Sequence, residues 1–210
     1  MYLAPNIEKV FVENKSKFDG YLTYDTITRR LGKAFDFPKD LKFKIERYGD
    51  LKEQEYTVSG LYDMTCDKKY VILNVSKHSN TLNLSGHTYD EFSFLVSQTI
   101  QHETIHQNQW QHRDYIEDVV KLDFRNVYGT LSEEREYLSD VDEIDAYAHD
   151  IAMEIRFYYP NKDPYTVLRA ISRSRKIPSY NYYKRTFGRC DWSAIKKRLL
   201  NKTYKWMAYV

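Results

Sequence analysis

Apolar and polar residues alternate with the period of a half-buried strand at Leu41, Phe43 and Ile45, with Lys42, Lys44 and Glu46 between them, and Tyr48-Gly49-Asp50 closes the run. A second strand is expected from Glu55 to Tyr62. A third runs from Lys69 to Ser76, rich in β-branched and aromatic residues and ended by the polar run Lys77-His78-Ser79-Asn80. These predict a small antiparallel sheet over about residues 41–76. After a polar connection, Asn80 to His87, the period changes. Phe92, Leu95, Val96 and Ile100, with Ile105 further along, recur at helical spacing, Thr88-Tyr89-Asp90-Glu91 reads as a capping box, and no Pro or Gly interrupts Tyr89 to Arg113. One long helix over 89–113 is predicted.

A further helix is expected over 140–157, capped by Ser139 or Asp140, with small Ala146, Ala148 and Ala152 permitting close helix approach. Asp163-Pro164 starts another through Ile171; Pro178 precedes the aromatic stretch Tyr180 to Phe187; Asp191 caps a last helix from Trp192 to about Trp206. Two stretches give no clear period. From Tyr2 to Asp36 the signals are mixed, with weak alternation at Tyr21 to Ile27 and a helix end at Arg29-Arg30-Leu31-Gly32. From Asp114 to Leu138 only a short strand at Val119 to Phe124 and a turn at Gly129 stand out, and a connection of this length favours a role at a cleft. The pattern predicts an α+β fold, a small antiparallel sheet followed by a mainly helical half.

The chain has 210 residues, 42% hydrophobic and 30% charged, which suits a soluble globular protein with one sizeable core. Its two cysteines, Cys66 and Cys190, lie far apart and support neither a disulfide framework nor a cysteine zinc site, so a reducing compartment is expected. Met1 to Asn14 lacks the basic start and apolar core of a signal peptide, and no run of about 18 apolar residues occurs; a cytoplasmic protein without a membrane partner is the expectation. Charge is unevenly placed. From Arg169 onward, 12 lysines and arginines face the single acid Asp191, a net +11, whereas the preceding 168 residues carry 20 basic and 29 acidic side chains, a net −9. Residues 169–210 thus form a basic helical extension, expected to pack on the unit formed by 1–168. Tyr180, Tyr182, Tyr183, Phe187, Trp192 and Trp206 are interleaved with its cations, which suits a nucleic acid, an acidic partner, or the chain's own acidic body.

The long predicted helix carries His102-Glu103-Thr104-Ile105-His106. Positions four apart lie about 40° apart around a helix, so both imidazoles can reach one metal ion, and Glu103 can sit beside the ion's solvent position and accept a proton from water there. With 6 His and 13 Glu, roughly one shuffled sequence in a hundred would carry the pattern by chance, so the helical context carries much of the weight. A hydrolytic zinc takes a third protein ligand. Glu143, in the first turns of the helix over 140–157, is the first choice, set against an ordinary capping box with Asp140; Asp142, Asp145 and His149 are alternatives, and His112 a lesser one. His149 lies about 240° around the helix from Glu143, so the two do not share an ion. Tyr147 falls nearer Glu143's face, where its hydroxyl could donate to a developing oxyanion. His78 and His87 read as solvated or capping residues. With Zn2+ so held, the chemistry is amide or peptide hydrolysis, with Glu103 as general base and a peptide or protein as substrate.

His102-Glu103-x-x-His106, followed by a helix bearing Glu143 in Asp-Glu-Ile-Asp-Ala-Tyr-Ala, resembles the zincin metallopeptidases of the gluzincin type, whose third ligand is Glu. The wording HETIHQNQWQ and EIDAYAHDIA is also similar to small metallopeptidase-like proteins encoded by bacteriophages, which would place the chain in a host cytoplasm or a virion. The resemblance covers about Tyr70 to Ile155 and implies a strand that binds extended substrate, for which Tyr70 to Ser76 is the candidate, then metal helix, then ligand helix. Many gluzincins carry an acid four residues beyond the ligand Glu; here that residue is Tyr147. The metzincin pattern matches only in the spacing of His112, because Gln109 replaces the Gly that its turn requires. A competing reading is a nucleic-acid-binding or virion-assembly protein with a structural or vestigial zinc.

Overall fold

In the computed structural model, which describes residues 7–35, 39–113, 131–187 and 192–210, the chain opens with α1 (Ile7–Phe18), β1 (Tyr21–Thr23) and α2 (Tyr24–Ala34). The mixed signals of this stretch resolve into two short helices. Ile7, Phe11 and Phe18 form the buried side of α1, and the Thr23 hydroxyl accepts the Thr26 N–H to cap α2. Then come β2 (Leu41–Tyr48), β3 (Tyr56–Asp63), β4 (Lys68–Ser76), β5 (Thr81–Asn83) and α3 (His87–His112).

The three long strands lie where alternation predicts them, but their sheet is mixed rather than antiparallel. The order is β2-β4-β3, with β4 antiparallel to β3 and parallel to β2. Alternation fixes which side of a strand is buried and says nothing of its neighbour. Here β3 and β4 close a hairpin while β2 takes the far side of β4; β1 and β5 pair separately as an antiparallel ribbon. β4 is therefore central and its backbone is paired on both sides along its length, which corrects the expectation that Tyr70 to Ser76 binds an extended substrate. Among the described residues the edges of this sheet are β2 and β3.

Val71, Leu73 and Val75 of β4 face a core built around Phe11, whose ring lies 5.5 Å from Phe35 and 6.4 Å from each of Phe18, Tyr89 and Phe92. Fully burying one such ring, as at Phe92, is worth about 1.5–3 kcal/mol. Tyr89 donates its hydroxyl to the Phe11 carbonyl at 2.7 Å, and burial, helped by Asp90, pushes its phenol up to about 12. α3 starts two residues earlier than predicted. Gly86, at φ 56°, takes a left-handed conformation open to glycine, and its carbonyl accepts the N–H groups of Tyr89 and Asp90, so Thr88 lies inside the first turn instead of capping it.

The chain divides into two compact units, Met1–Asn108 and Gln109–Val210, the division falling inside α3, whose last turn belongs to the second. The second unit contains α4 (Leu131–Ser139), α5 (Val141–Tyr158), α6 (Pro164–Arg169), a 3-10 turn (Ile171–Arg173), α7 (Pro178–Phe187) and α8 (Trp192–Trp206). α4, α6, α7 and α8 all pack on α5, so 13 of its 18 residues are buried and its small Ala146, Ala148 and Ala152 are fully enclosed. α4 occupies part of the stretch that showed no long amphipathic pattern. The strand expected at Val119 to Phe124, the turn at Gly129, Cys190 and the cap expected from Asp191 lie outside the described residues. Among those described the protein is α+β, with small sheets in the N-terminal half, a mainly helical C-terminal half, eight α-helices in all and none long and apolar enough to cross a membrane.

Candidate metal centre

α3 places His102 and His106 one turn apart with their Nε2 atoms 3.1 Å from each other, one ring donating to the other. A tetrahedral ion with metal–nitrogen distances of about 2.0–2.1 Å sets its nitrogens roughly 3.3 Å apart, so the two rings already converge as ligands of one ion do. Glu103 follows on an adjoining face and is 5% exposed. Its carboxylate lies against Gly60 of β3: a Cβ built on that glycine would fall 2.1 Å from Glu103 Oε1. A side chain at this point of the strand would displace the Glu103 carboxylate, which reaches the strand because none intervenes.

One turn beyond Glu103, Gln107 ties α3 to the strands. Its side-chain amide N–H groups donate to Asp40 Oδ2 and Asp67 Oδ1, both at 2.9 Å, and its carbonyl oxygen accepts from the Lys69 ammonium. Lys69, 5% exposed on the core side of β4, is also 2.8 Å from Asp40 Oδ2, and Tyr62 donates to Asp67. Burial acts to raise the Asp40 carboxyl, but hydrogen bonds from Lys69 and Gln107 outweigh it and hold the pKa below the usual 3.8. Fully paired, this buried network can be sustained; half-paired it would oppose folding.

In the second unit, Asp140 caps α5 by accepting the Asp142 N–H at 2.8 Å. No capping box is completed by Glu143, since the Asp140 N–H is donated to the Tyr137 carbonyl. Asp142 is clamped from the end of α3: Arg113 pairs with its carboxylate, and Gln109 donates to its carbonyl at 3.3 Å. That clamp seats the first turn of α5 on the last turn of the helix that bears the histidines. Glu143 is largely buried, and His102, His106 and Glu143 offer ligand atoms within 4.8 Å of one another, a group that could hold a metal ion. Two imidazoles and a carboxylate are the donor set of a hydrolytic zinc.

Of the alternative ligands, Asp145 is engaged elsewhere, and neither ring nitrogen of His149 has a hydrogen-bond partner among the described residues. Asp145 accepts from Lys202 at 2.9 Å and from the Trp206 indole at 3.2 Å; His149, fully buried, packs edge-on against Trp206 at 5.0 Å. His112 is exposed at the end of a helix that continues unbroken past His106, so it points elsewhere. His78 and His87 are exposed as expected.

Tyr147, one turn beyond Glu143, packs against Tyr183 at 5.2 Å and Tyr182 at 6.0 Å. Desolvation, then the nearby Glu143 charge, pushes the phenols of Tyr147 and Tyr183 well above the usual range, so both remain O–H donors at neutral pH. Gly60, the Lys69–Asp40–Gln107 network and Tyr183 are not apparent from the sequence. They depend on strand order and on the packing of α7, which periodicity does not reveal.

Comparison of the chain with protein-family models, with curated proteins and with solved structures finds no match. What the chain offers is the motif and the His102, His106 and Glu143 group that could hold a metal ion.

Proposed function

We propose that the protein is a zinc-dependent peptidase of gluzincin type. The observation that carries the reading is the convergence of His102, His106 and Glu143 within 4.8 Å, with Glu103 beside them on α3. A zinc ion held by these three residues would act as a Lewis acid, lowering the pKa of a water molecule and polarising a carbonyl. Glu103 takes the proton from the attacking water at its carboxylate and returns it to the leaving amine nitrogen, and Tyr147 donates its hydroxyl to the developing oxyanion.

The edge position of β3, which pairs only with β4 among the described residues, supports a peptide as substrate. An extended segment can add to a strand edge through main-chain hydrogen bonds, and Gly60 of β3 lies against the Glu103 carboxylate with no side chain between. The test is hydrolysis of a mixed quenched-fluorescent peptide library by zinc-reconstituted protein, alongside Glu103→Gln. Turnover that is removed by chelation, restored by zinc and lost in the variant is expected. A Glu103→Gln protein that cleaves as fast as the unaltered chain would exclude this mechanism.

A further inference from the structure

The basic extension is not consumed by the acids of its own unit. On α8, Lys202 is held by Asp145, but Lys196, Lys197, Arg198 and Lys205 have no ion pair among the described residues. Ile195, Leu199, Thr203 and Trp206 anchor the opposite face, and the Trp206 indole donates to the Asp145 carbonyl at 3.1 Å, so the cations stand on a fixed support. Large aromatics are exposed on the same helix and just beyond it: Tyr204 is 61% exposed and Tyr209 66%, with the Tyr204 ring steadied against Tyr165 at 5.1 Å. A recess of about 210 Å³ is lined by Val141 and Ile144 of α5 and by Arg198, Asn201, Lys202 and Lys205 of α8.

We infer that this face binds a single-stranded polynucleotide. Cations alone would suit any polyanion, but a recess lined by Val141, Ile144 and three cations, on a unit that also exposes Tyr204 and Tyr209, suits a ligand that alternates flat apolar bases with phosphates. An acidic peptide supplies the charge without the rings, and a duplex keeps its bases stacked away from them. Arg198 and Lys205 then contact phosphates, while Tyr204 and Tyr209 offer stacking surfaces. The inference needs no metal and stands apart from the proposed hydrolysis.

The test is fluorescence anisotropy of the full chain with labelled oligothymidylate and oligouridylate of about 20 nucleotides, which separates DNA from RNA as the source. If about four phosphates are neutralised, affinity falls roughly fifty-fold between about 50 and 200 mM salt. Charge reversal at two exposed positions, Arg198→Glu with Lys205→Glu, is expected to weaken binding by at least about tenfold, and Tyr204→Ala by about tenfold, with unchanged circular dichroism and melting temperature. Absence of binding at about 50 mM salt would overturn the proposal. So would equally tight binding of a duplex, displacement by polyglutamate as effective as by unlabelled oligomer, or unchanged affinity in either folded variant.

Discussion

The polar stripes of α3 and α8 look alike in the sequence and differ in the fold. On α3, Gln101, Glu103 and Gln107 are each less than a tenth exposed, so every polar group there loses water and must be compensated by a partner or a function. On α8, Lys197, Arg198 and Lys205 remain in water and place little demand on the fold. A buried polar stripe is thus held in one arrangement and can build a site. An exposed one builds a surface, whose worth appears only with a partner.

Substitutions should separate the two stripes, beginning with the largest effect. Glu103→Gln preserves shape but removes the proton acceptor, and kcat is expected to fall about 10²–10⁴-fold in a peptide assay, with metal content retained. Lys69→Met leaves Asp40 without its ion-pair partner and the Gln107 carbonyl without its donor; because Asp40 keeps some water and the Gln107 amide, a loss of about 1–3 kcal/mol is expected by urea unfolding.

The same network gives a smaller, pH-dependent effect. The folded pKa of Asp40 lies below its unfolded value of 3.8, so its ionised form stabilises the native state above that value, and the contribution disappears as pH falls through the lower folded pKa. Melting temperature should fall through this acid range less steeply in Asp40→Asn than in the unaltered chain; equal slopes would remove Asp40 from the account. At the bottom of the scale, Lys197→Ala on α8 should change stability by less than about 0.5 kcal/mol in the same unfolding assay.

How far these features could be read beforehand depended on whether local pattern decides them. β2, β3, β4, α3, α5 and α8 fall within a residue or two of their predicted bounds because each carries a sustained period. α1 was obscured because Val12, 75% exposed, stands next to buried Phe11 and blurs the apolar face. The mixed sheet was not legible, since pairing order is set by tertiary packing. That error also displaced the expected substrate strand from the edge to the centre. His102 and His106 were legible from spacing alone. Glu143 was legible as one of several acids, and what distinguishes it is the clamp on Asp142, the Lys202 and Trp206 contacts of Asp145 and the Tyr137 contact of Asp140, all made in the folded chain.

The most direct test of the metal centre is elemental analysis of purified, zinc-reconstituted protein, comparing the unaltered chain with Glu143→Ala, His149→Ala and Glu103→Gln, each verified as folded by circular dichroism. About one zinc per chain is predicted in the unaltered, His149→Ala and Glu103→Gln proteins, and well below that in Glu143→Ala, as expected of a site with three protein ligands. No zinc in the unaltered protein, or full occupancy in Glu143→Ala, would contradict the assignment of His102, His106 and Glu143 as a metal site.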